Sequence, residues 1–451
     1  MKTFHKIIQF LLLPAVLFAC TVVDTPRSST ETPQTPLLTQ TGRVPVIPPS
    51  LTVIPSTKTA ITPATTPTVL PTSQPETKII EKCIDLSAGA DIKVHAYAMV
   101  MDDLFPRDLH KLTMINLSDG TKTSPGKVHA PIAISPDFTK FAYLNYERKV
   151  IVSNAARQKL KEFQGTGNWM GVLHWMDEQT VAVQNMPFRN GYIYPPASVI
   201  ALNLTTGKKV EYLPEYPRID NLAGGVPNWE DDAFTITVYN QTFSMVLYIA
   251  SNVEGVGQLV LRDIINNQEL IHLDGIDYDS GGGPKWFNGG GSFLMVVPPA
   301  FTSIQGTIYK NVNDNVPYQG GLELFMIDGD GKIKRLTYLT RNFVTGEEGI
   351  SLSPDNSKVA FWLNKNYRYR DMNASRQLAV LDIDSGLVTN YCITGGDYPH
   401  PPVWSADNRY LLVTISNSRE NQSDVLLVDL TDLKARLVAQ KNIGVGWLIA
   451  P

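Results

Sequence analysis

The chain has 451 residues, of which 43% are hydrophobic and 18% charged, and its formal net charge is −4. That balance excludes a nucleic-acid binder resting on a basic face, and it is ordinary for a soluble globular protein with a large core.

Residues 1–20, MKTFHKIIQFLLLPAVLFAC, place Lys2 and Lys6 before an apolar run from Ile7 to Phe18. This is the layout of a secretory signal, and the run is too short for a comfortable membrane span. The ending LFAC, with a small residue directly before a Cys, resembles the lipobox of bacterial lipoproteins. The resemblance implies cleavage before Cys20 and acylation of that residue, palmitate included. Two or more acyl chains give the stable anchoring that one does not. The mature chain is then expected outside the cytoplasm, on the cell membrane or the outer membrane. Thr21 carries no signal that chooses between them.

Residues 21–78 are different in kind: 32 of these 58 residues are Thr, Pro or Ser, and none is aromatic. Such a segment cannot bury enough surface to offset its ordering entropy. It is predicted to be a disordered tether, reaching roughly 45 Å as a flexible coil and roughly 180 Å as extended polyproline II. The predicted organisation is a signal peptide over 1–19, a lipidated linker over 20–83 and a folded domain over 84–451.

Past residue 84, runs such as KVAFWL, QLAVLDI, YLLVTI, DVLLVDL, FLMVV and LELFMI are rich in Val, Ile, Leu, Phe and Tyr, and bounded by Asp, Asn, Gly and Pro. These are strand signals, and no long stretch keeps helical spacing. Two phrases recur among them. The first is IAISPDFTKFAYL (132–144), ISLSPDNSKVAFW (350–362) and PVWSADNRYLLVTI (402–415). The second is NLSDGTK (116–122), NLTTGKK (203–209), DGDGKIK (328–334), DIDSGLV (382–388) and, without Gly, DLTDLKA (429–435). Each of the second group has Asp, Asn or Gly where a tight hairpin needs positive φ.

In order, the phrases spell strand, Ser-Pro-Asp turn, strand, variable loop, strand, hairpin, strand. Four antiparallel strands at intervals of tens of residues are what a β-propeller blade requires. The phrase resembles the repeats of TolB and of the propellers in the prolyl oligopeptidase and dipeptidyl peptidase families. Innermost strands are marked by Ile134, Trp175, Val238, Trp286, Leu352 and Trp404, and Trp447 supplies a seventh marker with no strands behind it. The strands near 94–123 have no marker before them, so the C-terminal strand is expected to complete the first blade and close the ring. The predicted fold is an all-β, monomeric propeller of seven four-stranded blades, about 53 residues each against 40 to 45 in compact WD-type blades.

The extra length falls in loops. First-to-second and third-to-fourth strand turns are short, whereas 184–198, 212–232, 273–286, 297–321, 339–349 and 364–377 are long and belong to the opposite face. That face holds Tyr192, Tyr194, Tyr309, Tyr318, Tyr367 and Tyr369 with Arg189, Arg341, Arg368 and Arg370, types favoured in recognition surfaces. Packing within the long loops is the alternative use of these aromatics.

Other signals read more simply as structure. Asp137, Asp355 and Asp407 fall in the turn phrase and are expected to cap their own backbone. DGDG at 328–331 lacks the later ligands of a calcium loop, and SPGK at 124–127 is a chance Ser-x-x-Lys match. His129, His174 and His400 share no register, so no metal site is assigned. Asp277, Asp279, Glu347, Glu348 and Asp397 could pair as acid and base for glycan chemistry, but sequence spacing does not show that they meet. Cys83 and Cys392 are either a disulfide or two thiols; spacing does not choose.

The peptidases carry catalysis in a hydrolase domain beyond the propeller, so the resemblance transfers no activity. No catalytic residue and no cofactor are assigned. Two readings stand. One is a lipid-anchored propeller that binds or scaffolds a protein, peptide or glycan. The other is a propeller hydrolase or lyase acting on extracellular polysaccharide or peptide. The first is preferred, because no catalytic signature outlasts its structural explanation.

Overall fold

The computed structural model describes residues 76–88, 91–102, 109–164, 173–185, 188–189, 192–193, 198–212, 234–242, 244–251, 256–263, 265–266, 268–277, 284–297, 322–339, 343–344, 349–364, 376–396, 400–417 and 422–451. The chain divides into units 1–70 and 71–451, and the described residues belong to the second.

Among the described residues the structure is strands and turns, without helix. Six sheets hold four or more strands, and one further hairpin pairs Phe188–Arg189 with Tyr192–Ile193. Four of the six sheets are four-stranded, spanning 173–212, 234–277, 285–335 and 403–440. A fifth centres on Lys358–Asn364, Arg376–Asp382 and Val388–Thr394. The sixth is seven-stranded and continuous from Asn442–Ile449 through Ala96–Asp102, His110–Asn116 and the long Lys122–Ile134 to Lys159–Phe163.

Central strands read as unbroken apolar runs because both of their faces are covered. In Lys358–Asn364 every residue after Lys358 is buried. The outer strand Lys159–Phe163, KLKEF, buries only Phe163. Most cores join neighbouring sheets. Leu294 and Leu324 pack with Val359 and Phe361; Trp362 and Leu378 with Trp404 and Leu411; Leu412 and Leu427 with Ala98 and Trp447. Likewise Ala133 and Leu144 pack with Trp175 and Val183, Ala182 with Tyr239 and Val246, and Leu247 and Leu259 with Phe293 and Phe325. Within the seven-stranded sheet, Met99 and Leu112 pack with Phe141 and Ile151. Sheets stacked face to face in such a closed order form a propeller arrangement.

The C-terminal strand joins the strand Ala96–Asp102 as the sequence leads one to expect: Trp447 lies opposite Ala98, in an antiparallel pair running from Ala96↔Ile449 to Asp102↔Asn442. Two marker tryptophans bind the preceding marker strand, Trp175 Nε1 donating to Ala133 O at 3.1 Å and Trp404 Nε1 to Ser351 O at 3.1 Å.

The Ser-Pro-Asp phrase is one turn built three times. Ser135, Ser353 and Ser405 donate Oγ–H to Asp137, Asp355 and Asp407 at 2.5, 2.6 and 2.5 Å. The same carboxylates accept the backbone N–H two residues on, from Thr139, Ser357 and Arg409. The intervening Phe138, Asn356 and Asn408 have φ of 59, 63 and 58°. In the hairpin phrase Gly386 has φ 68°, and in the copy without Gly the same position, Leu433, is held at 55°.

The folded part begins before residue 84. Ile79–Glu81 forms a parallel strand on the outer edge of Val388–Thr394, with Ile79 opposite Val388. Composition places this segment with the linker because three residues carry no period; their partner lies some three hundred residues on.

Candidate functional site

The two ends of the sheets differ. At one end the first-to-second and third-to-fourth turns of a sheet bond to each other: Ala155 N to Thr139 O, Leu204 N to Gln179 O, Gly329 N to Gly291 O, Ile383 N to Ser357 O and Leu430 N to Arg409 O. Neighbouring turns are also tied, Asn288 N to Asn356 Oδ1 and Asn288 Nδ2 to Pro354 O. Bonds between turn backbones knit this end together.

At the opposite end the second-to-third connections are unequal. Val297 to Glu323, Asn364 to Arg376 and Asn185 to Ser198 are long, whereas Asn145 to Val150, Ser251 to Val256 and Asn417 to Gln422 are short. The loop elaboration seen in the sequence is therefore confined to part of that face. At a short connection stands Tyr146, 66% exposed, its hydroxyl 2.9 Å from Glu147 Oε1. Sequence reasoning passed over it because it looked only for long loops.

Of the predicted binding residues, Tyr194, Tyr309, Tyr318, Tyr367, Arg368, Tyr369 and Arg370 lie outside the described residues, as does Cys20. Tyr192 pairs through its backbone with Arg189 in the small hairpin. Asp277 ends the strand Gln268–Asp277, while Asp279, Glu347, Glu348 and Asp397 lie outside the described residues.

The histidines separate. Burial drives His174 down to about 4, although a bond to the backbone of Gln241 favours its charged form, so the imidazole is neutral at physiological pH. His400 contributes its carbonyl oxygen to Trp362 Nε1 at 2.9 Å. Among the described residues no group of three or more His, Cys, Asp or Glu side chains gathers as metal ligands. Asp137 is held below the usual carboxylate range: burial opposes its ionisation, but bonds from Lys140, Ser135 and Thr139 outweigh it. That is the capping role read from the phrase.

A groove of about 380 Å³ lies beside the strands Ala96–Asp102 and His110–Asn116, with Val100, Ile115 and Ala439 as apolar lining and Asp102, Lys111, Lys122 and Asn442 as polar lining. Asp102 Oδ1 accepts Lys111 N at 2.8 Å and lies 3.6 Å from His110 Nδ1. Lys111 stands directly opposite Lys127 across the strand pair. Like charges so placed repel.

Sequence reasoning also missed the buried carboxyl of Glu323, with a relative exposure of 0%. It accepts from Arg335 Nη2 at 3.0 Å and Leu339 N at 2.7 Å, and is bonded to the Thr337 hydroxyl. Burial pushes it up to about 7, against the pull of Thr337, Leu339 and Arg335. A Glu inside the apolar run LELFMI was the available signal. Next to it, Tyr338 N donates to Thr77 Oγ1 at 2.6 Å and Thr77 N to Tyr338 O at 3.0 Å. From there the N-terminal segment follows the sheet edge to a disulfide between Cys83 and Cys392, Cα–Cα 4.9 Å.

No protein-family model and no curated protein matches the chain. Among solved structures it is similar to TolB from Acinetobacter baumannii, at 14% identity and TM-score 0.37 over 78% of this chain and 66% of that one. It is also similar to an oligogalacturonate lyase in complex with manganese, at 11% and 0.42 over 73% and 84%. A prolyl endopeptidase aligns at 10% and 0.44 over 75% and 47%. These likenesses are too distant for the partners, substrate or metal of any of them to pass to this chain.

Proposed function

We propose that the chain is a lipid-anchored, extracytoplasmic seven-bladed propeller that binds or scaffolds a protein, peptide or glycan through its long-loop face. The observation that carries the binding assignment is the inequality of the two sheet ends. One end is closed by short turns bonded to each other, while the other carries the connections 298–322 and 365–375. A rigid scaffold with its variable length on one face is the usual design of a recognition surface. The Tyr and Arg residues of those connections offer stacking, cation–π contact and planar hydrogen bonding.

The count of seven follows from reading Lys122–Ile134 as shared by two blades, since the halves of the sheet on either side of it pack against each other around Met99, Leu112, Phe141 and Ile151. The anchor follows from LFAC at 17–20 and the Thr/Pro/Ser-rich segment behind it. The folded domain then hangs on a tether from acylated Cys20.

Two experiments test the proposal. Cys20→Ser should move the protein from the membrane fraction to the soluble one, and unchanged partitioning refutes the anchor. For the site, Tyr367, Arg368, Tyr369 and Arg370 are replaced together by Ala. Capture of the partner that co-purifies with the unaltered chain should fall at least tenfold, while Asp384, Asp432 and Lys208 replacements at the tight-turn end leave it intact. The reverse outcome assigns binding to the other face.

A further inference from the structure

A pull on the chain from its N-terminal side meets its attachments in a fixed order. First come the Thr77–Tyr338 bonds, then the parallel pairing of Ile79–Glu81 with Val388–Asn390, then Lys82 N to Asn390 O at 2.9 Å. At residue 83 the attachment becomes covalent, through Cys392. Beyond it, Ile84 N bonds Tyr391 O and Asp85 N bonds Leu433 O, and the chain runs on into Ala96–Asp102, whose pairing with Asn442–Ile449 closes the ring.

We infer that the Cys83–Cys392 disulfide is a force-transmitting junction: it takes tension from the N-terminal tether into the sheet that carries the 365–375 connection, and keeps that tension off the ring-closing strand. This rests on the tethered, loop-face reading above. Hydrogen bonds taken one at a time do not resist sustained peeling, so without the disulfide a pull travels along 84–95 into Ala96–Asp102 and opens the seam. With it, the load leaves through Val388–Thr394, which pairs with Arg376–Asp382, which in turn pairs with Lys358–Asn364. The 365–375 connection joins those last two strands, so tether and binding loop hang from one sheet.

The backbone at Cys392 is unusual and is held in place by a buried polar partner. Its φ is +62°, uncommon for a residue other than Gly, and the neighbouring pairing shifts register between Gln377 and Ala379. Its N–H is held by Asn390 Oδ1 at 2.9 Å, and Asn390 is itself buried and bonded to Gln377 at 2.8 Å.

The test is constant-force stretching of the full chain in magnetic tweezers, with one handle before residue 76 and the other at Asn373. In the oxidised protein only short pieces lie in the force path, and total extension should stay under roughly 100 Å at 3.3–3.6 Å per residue. Reductant added to the same folded molecules should release roughly 1,000 Å more, because the ring itself then carries the load. Cys83→Ser should behave like the reduced protein. Oxidised molecules that extend by the larger amount, or identical traces before and after reduction, overturn the junction.

A seam variant tests the bypass. Ile443→Ala, at a partly buried position packed against the Met99 core, should lower the force at which the ring opens in reduced protein and leave the oxidised trace unchanged. Equal lowering in both overturns the inference. Because the handles apply the force, these results do not depend on acylation. A chain that shows the junction but keeps Cys20→Ser in the membrane fraction refutes the anchor alone.

Discussion

Replacing Glu323 by Gln should leave stability nearly unchanged at pH 5 and raise it at pH 8. The carboxyl is fully buried, and burial places its native value near 7 against an ordinary 4.5. A group whose native value is raised stabilises the fold fully below 4.5 and loses that contribution as the pH climbs through 7. The difference corresponds to about 3 kcal/mol between the two limits. Gln mimics the protonated carboxyl: its carbonyl oxygen can still accept from Leu339 N and Arg335, and its amide can donate to the Thr337 oxygen. Glu323→Ala instead strands those donors and the Arg335 charge, at about 3–5 kcal/mol at either pH.

The unaltered protein alone is a poor reporter, because His174 slopes the other way. Its value is depressed to about 4, so its contribution is full above 6.5 and lost as pH falls through 4. The two windows overlap and their slopes oppose each other, so the curve of the unaltered protein does not isolate either group. The informative quantity is the difference between Glu323→Gln and the unaltered protein, measured by urea unfolding across those windows. A difference that grows with pH to about 3 kcal/mol supports a neutral buried carboxyl. A Gln variant equally destabilised at pH 5 and pH 8 refutes it, and means that Arg335 keeps the carboxyl ionised throughout.

Two glycines in positive φ should respond very differently to Ala. Gly386 has φ +68° with nothing within 4 Å of an added Cβ, so Gly386→Ala should cost about 1 kcal/mol by urea unfolding. At Gly396, φ +83°, the added Cβ falls 2.1 Å from Ser416 O, a backbone atom, so Gly396→Ala should lower the melting temperature far more or prevent folding; equal effects at the two sites refute the packing at Gly396. Asp137→Ala, Asp355→Ala and Asp407→Ala should each cost about 1–2 kcal/mol, the loss of a local cap, and leave partner capture unchanged. Loss of capture with unchanged melting temperature would make these residues functional instead.

What the sequence determined by itself is whatever depends on neighbours a few residues away. The Ser-Pro-Asp turn was legible because Ser353, Asp355 and Ser357 bond within a span of five residues. The hairpin phrase was legible for the same reason, even at Leu433 where the Gly is missing. The closing pair of Ala98 with Trp447 could be read because a count of strands left one marker too many at one end and one too few at the other. Tertiary structure alone decided the rest. Glu323 becomes a buried carboxyl only once Thr337 and Leu339 fold back over it. Ile79–Glu81 becomes a strand only on the edge of Val388–Thr394, and Cys83 meets Cys392 across a sequence separation of 309. Turn chemistry repeats because it is paid locally, by φ and by hydrogen bonds to the next few residues. Burial, edge pairing and disulfide partnership depend on which distant segments the ring brings together, and no local pattern encodes that.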